Sequence, residues 1–142
     1  MKHLFYIILT ALIPIFPSCS GSGQIASDYD GNLCRDLSVK IENRDSLSQS
    51  DYAEMIAQNK AILQYLVNST KEISELPDSV RNHRWRLLTA TPEYLEKFGY
   101  MFTIGSTLYR ADNAGLLDKN NAKEYHDLDR YNEDLAKYSE RY

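Results

Sequence analysis

Cysteine is nearly missing from this chain: Cys19 and Cys34 are the only two in 142 residues. Two cysteines cannot build the multi-bridge scaffold of a small secreted domain, and they offer no cysteine-based zinc pattern. Basic excess is missing as well. The formal net charge is −4, whereas phosphate contacts need a basic face, so no nucleic-acid partner is expected. No useful length of sequence alternates polar and apolar residues as a strand does, and no internal repeat is present. No serine occupies a nucleophile-elbow motif, and no glycine loop is built to cradle phosphate. With those signatures gone, neither an enzyme nor a cofactor is expected.

What is present begins with one apolar run. Met1-Lys2-His3 is a short basic start, and Leu4 to Phe16 is almost wholly apolar. That is the length of a signal-peptide core. A membrane-spanning helix needs roughly 20 apolar residues, and Pro14 and Pro17 break the end of this run. The segment therefore reads as a signal peptide.

It leads into Phe16-Pro17-Ser18-Cys19, followed by Ser20-Gly21-Ser22-Gly23. Here the sequence resembles a bacterial lipoprotein precursor of the Bacteroidetes type. Ser18 and Cys19 fit the lipobox of that class, while Phe16 and Pro17 depart from its usual Leu and Ala or Ser. The resemblance covers about 23 residues. It implies cleavage of residues 1–18 and acylation of Cys19, which attaches the chain to a membrane of the cell envelope, the outer membrane being favoured. The alternative is a free soluble protein in which Cys19 pairs with Cys34 or is removed. Loss of residues 1–18 removes Lys2 alone among the charged residues and takes the net charge from −4 to −5. One acyl chain holds a protein only marginally, and two or three on one cysteine make attachment durable. Residues 19–27 then act as a flexible tether. Cys34 has two readings, a reactive leftover thiol or a small buried apolar residue in the first helix; the second is favoured.

From residue 28 to 142 the pattern is helical. Leu33, Leu37 and Ile41 lie on one helix face. Ser48 or Ser50 is placed to cap a second helix, with Tyr52, Met55, Ile56, Ile62, Leu63, Leu66, Ile73 and Leu76 as its apolar stripe and Asn59 and Thr70 in the gaps. That helix ends before Pro77. Asp78-Ser79 starts a short helix reaching about Thr89. Thr91-Pro92-Glu93 supplies a cap, a first-turn proline and a first-turn acid for the next. That helix is apolar around most of its circumference, which predicts that it is the central and most buried one. Gly99 and Gly105 are placed there to let a neighbour approach. After a loop at Asp112–Gly115, Asp118 caps a last helix with the stripe Leu128, Tyr131, Leu135, Tyr138 and Tyr142. The expected fold is all-α, an antiparallel bundle of four or five helices.

The candidate site residues are few. Arg81, Arg84 and Arg86 around Trp85 form the one basic cluster, able to grip a phosphate, a sulfated sugar or lipid headgroups. The plainer reading is a solvated helix face whose arginine stems cover Trp85. Ten of the eleven tyrosines follow Cys19; tyrosine suits wet interfaces, and it also suits the boundary of a small core. Asp28-Tyr29-Asp30-Gly31-Asn32 has the wrong spacing for a calcium loop and reads as a turn. His126 with Asp112, Asp127 and Asp129 reads as a surface charge patch, and no metal is expected. Asp45-Ser46-Leu47 and Asp78-Ser79-Val80 look like the O-glycosylation pattern of exported Bacteroidetes-type proteins, which implies Ser46 and Ser79 as sugar sites.

The expected function is that of a lipid-anchored envelope module that binds or scaffolds an envelope protein or glycan. The alternative is an inhibitor or immunity-like protein acting on a periplasmic enzyme or toxin, with Glu124, Asp127, Asp129, Glu133 and Asp134 as its contact. A hydrolase assembled from distant residues is the least favoured reading.

Overall fold

The computed structural model describes residues 28–139; Cys19, its tether and Tyr142 lie outside them. Within that span the chain is all-α. The elements are α1 (Gly31–Glu42), α2 (Gln49–Ser74), α3 (Asp78–Thr89), α4 (Pro92–Asn113), α5 (Lys119–His126) and α6 (Asp129–Ser139). The bundle is the predicted one, with its last helix broken into α5 and α6 at Asp127 and Leu128.

Local chemistry sets the starts. Asp30 accepts from the amides of Asn32 and Leu33 and caps α1, so the Asp28–Asn32 segment is a helix start. Ser48 caps α2 through a capping box with Asp51: the Asp51 amide donates to Ser48 Oγ, and Asp51 accepts from the Ser48 amide. Thr91 accepts from the Tyr94 amide ahead of Pro92, and Asp118 accepts from the Asn121 amide. Gly115, with φ of +69°, turns the chain out of α4. The start of α3, at Pro77, has no side-chain cap.

The central helix is α2. It contacts each of the other five, and Met55, Ile56, Ile62, Leu63 and Leu66 are buried on it. The expectation that α4 occupies the centre is corrected. Its inner face, with Ile104, Thr107, Leu108 and Ala111, meets α2 and α1. Among the described residues no helix packs on its outer face, so Leu95, Phe98, Phe102 and Tyr109 stand exposed there. A helix apolar all round needs neighbours on every side to be buried, and these elements cover only one side of α4.

The rest of the core comes from Cys34 and Leu37 of α1 and from Leu128 between α5 and α6. Tyr52 is buried, and Tyr29, Tyr65, Tyr94, Tyr100, Tyr125 and Tyr131 are half-buried against the core. These tyrosines mark the core boundary, while Tyr109 stands exposed. Gln49 ties the bundle's ends together. Its amide accepts from the Asp118 amide and from Asn121 Nδ2, both at 2.9 Å, and donates to the Leu116 carbonyl at 2.7 Å.

Candidate binding face

The α4 stripe is the largest departure from an ordinary small-domain surface. Leu95, Phe98, Phe102 and Tyr109 follow one another at steps of three, four and seven residues, which puts them in a single line along the helix. Phe102 is 72% exposed. Monomeric proteins seldom show water a continuous apolar face without a use for it. The stripe continues into an aromatic ladder toward α3. Phe98 stacks on Tyr94 with ring centroids 5.9 Å apart, and Trp85 meets Tyr94 edge-on at 6.2 Å. Leu87 and Val80 on α3 are exposed as well.

The basic cluster of α3 does not converge on one point. Arg81 turns back to its own helix start, donating to the Leu76 carbonyl at 2.9 Å and pairing with Asp78 at 2.6 Å. Trp85 is half-buried on Tyr94. Arg84 and Arg86 are exposed, two residues apart, and so leave the helix on different sides. Of the proposed sugar sites, Ser46 lies exposed in the α1–α2 connection and Ser79 is exposed in the first turn of α3. His126 Nε2 lies 2.9 Å from Asp112 Oδ2. That contact raises the imidazole pKa above its ordinary value, through the hydrogen bond first and the Asp112 charge second. Among the described residues no three His, Cys, Asp or Glu side chains gather as a metal would need, and no helix is long and apolar enough to cross a membrane.

Two buried polar groups stand out, and the burial of Lys97 was not foreseen from the sequence. Lys97 is only 8% exposed. Its ammonium pairs with Glu93 at 2.8 Å and lies over the rings of Tyr29, at 4.2 Å, and Tyr65, at 4.7 Å. Tyr29 in turn donates to Glu96. This knot fastens the start of α1 to α2 and α4. Asn59 of α2 is 6% exposed, and its Oδ1 meets no hydrogen-bond donor; such an acceptor costs roughly 1–3 kcal/mol to bury alone. The one signal for Asn59 in the sequence was a polar residue standing on an apolar stripe. Lys97 gave only a charge beside an apolar run.

Cys34 is fully buried, and its Sγ sits 3.6 Å from Gln58 Oε1. Burial first, then the nearby Asp30 and Glu96 charges, push the thiol up to about 11. It is a core residue, the reading favoured from the sequence.

No protein-family model matches this chain, and no curated protein or solved structure does.

Proposed function

We propose that this is a lipid-anchored module of the bacterial cell envelope that binds a protein partner through the outer face of α4. The observation that carries the reading is the exposed line Leu95, Phe98, Phe102 and Tyr109. Interfaces draw their binding energy from a few aromatic and aliphatic anchors at the centre of a desolvated patch, and this line presents three aromatics and a leucine on one rigid helix. The anchor rests on the lipobox-like Ser18-Cys19 pair and on the apolar run before it. Binding, in preference to catalysis, is favoured because the polar groups of α3 point apart and the histidine–carboxylate contact of the described residues, His126 with Asp112, sits at an exposed surface.

A photo-crosslinking residue placed at position 102 of the full chain, expressed in its native envelope, tests the reading. An adduct with a discrete protein is expected from position 102 and not from position 72, an exposed site on α2. Leu95→Glu should abolish it without moving the thermal midpoint, since Leu95 is exposed and surface changes cost within about 0.5 kcal/mol. Equal adducts from both positions, or none from either, would sink the proposal.

A further inference from the structure

At the C-terminal half of α4 the apolar stripe borders a groove of about 360 Å3 between α4, α2 and the α5–α6 arm. Phe102 and Tyr109 belong to both the stripe and the groove, and Tyr125 faces them from α5. The floor carries Asn59, the buried amide whose Oδ1 has no donor. Gly105 stands beside it, so that a Cβ there would lie 3.9 Å from that oxygen. Asp129 contributes a carboxylate at the rim, and among the described residues no lysine, arginine or histidine lines the groove.

We propose that this groove receives a cationic side chain, a guanidinium presented by the same protein partner that docks on α4. Aromatic faces attract a cation through their ring quadrupoles, and a planar guanidinium also stacks on them. Its N–H groups need acceptors: a carboxylate stands at the rim, and the floor holds the Asn59 amide, whose unpartnered oxygen is covered in the empty groove and would be reached by a small turn of that amide. The local potential has the matching sign. After burial, the charges of Asp112 and Asp129 are the next causes holding the Tyr125 hydroxyl above its ordinary pKa. A neutral polyol would use the rings and the amide but would gain nothing from the charge of Asp129. An arginine seated in an aromatic pocket at the end of an apolar stripe would also fix the register of the partner along α4.

The inference rests on the docking role of α4 for its source of the guanidinium, but the groove is testable without the partner. Detergent-solubilised full chain is titrated with N-acetyl-arginine amide and with the neutral isostere N-acetyl-citrulline amide, following aromatic resonances by NMR. Saturable shifts of Phe102, Tyr109 and Tyr125 are expected with the arginine compound, and citrulline should bind at least about tenfold more weakly. Asp129→Asn, an exposed and fold-neutral change, should weaken arginine binding several-fold. Asn59→Leu should remove it while the thermal midpoint holds or rises, because an unpartnered buried oxygen is lost. Equal binding of citrulline, indifference to Asp129→Asn, or saturable binding of maltose with no response to arginine would overturn the proposal. If arginine amide binds while position 102 gives no adduct in the envelope, the groove stands and the docking face falls.

Discussion

Single residues hold this bundle at its corners, and Asp51 shows how. It accepts from the Ser48 amide and hydroxyl at the start of α2, at 2.8 and 2.9 Å, and pairs with the Lys40 ammonium from the end of α1. The Lys40 hydrogen bond first, and the Ser48 amide second, hold its carboxyl down at about 2, against an ordinary value of 3.8. A group depressed in the folded state stabilises fully above its unfolded value and loses that contribution as protons are bound. The loss should therefore run from about pH 4 down toward pH 2. Asp51→Asn should cost about 1 kcal/mol at neutral pH, the usual scale of a helix cap, and should flatten the acid dependence in that window. Urea unfolding of both chains at pH 7, 4 and 2.5 checks it; equal losses of stability below pH 4 would remove Asp51 from the account. A serine cap at Ser48 or Ser50 was legible in the sequence, because caps are local, and the structure selects Ser48. The Lys40 partner was not, because that pair depends on how α1 returns alongside α2.

At the scale of the element, the sequence located helices better than it ranked them. The stripe of α2 from Tyr52 to Ile73 is buried as its spacing predicts, Asn59 and Thr70 included. The inner and outer faces of α4 could not be told apart by periodicity, since both are apolar. What separates them is the presence of neighbouring helices, a property of the assembled bundle. The two α4 glycines divide the same way. Gly105 faces Asn59 at ordinary contact distance, whereas a Cβ at Gly99 would meet nothing within 4 Å. The close approach expected at Gly99 is therefore not made. Gly99→Ala should stabilise the protein by up to about 1 kcal/mol, the helix-propensity difference. Ile62→Ala, at a fully buried position of α2, should destabilise it by roughly 2–5 kcal/mol. The two variants differ in sign, and chemical denaturation reads both. A destabilised Gly99→Ala chain would mean that the outer face of α4 is covered in the free protein.

At the scale of the molecule, the question is how the binding face sits relative to the membrane. The described chain enters at Asp28, where Gln58 donates to the Asp28 carbonyl and accepts from the Asp30 amide. Tyr29 and Lys97 bind that entry to the first half of α4. Nine residue steps separate Cys19 from Asp28, so the backbone between them reaches at most about 30 Å. With acyl chains on Cys19, the α4 stripe would be confined to a shell next to the membrane, where a partner embedded in or attached to the same membrane meets it at high effective concentration. Cys19→Ala should then move the protein from the membrane to the soluble fraction and abolish labelling by a fatty-acid probe. Its thermal midpoint should stay where it was, because the core is built between Cys34 and Leu128. The adduct from position 102 should also fall in the Cys19→Ala chain although the α4 face is intact, since only proximity has been lost. If the variant stays in the membrane fraction and keeps the label, Cys19 is not the anchor. If it is released and the adduct persists unchanged, the partner is soluble, and the anchor serves location without assisting the encounter.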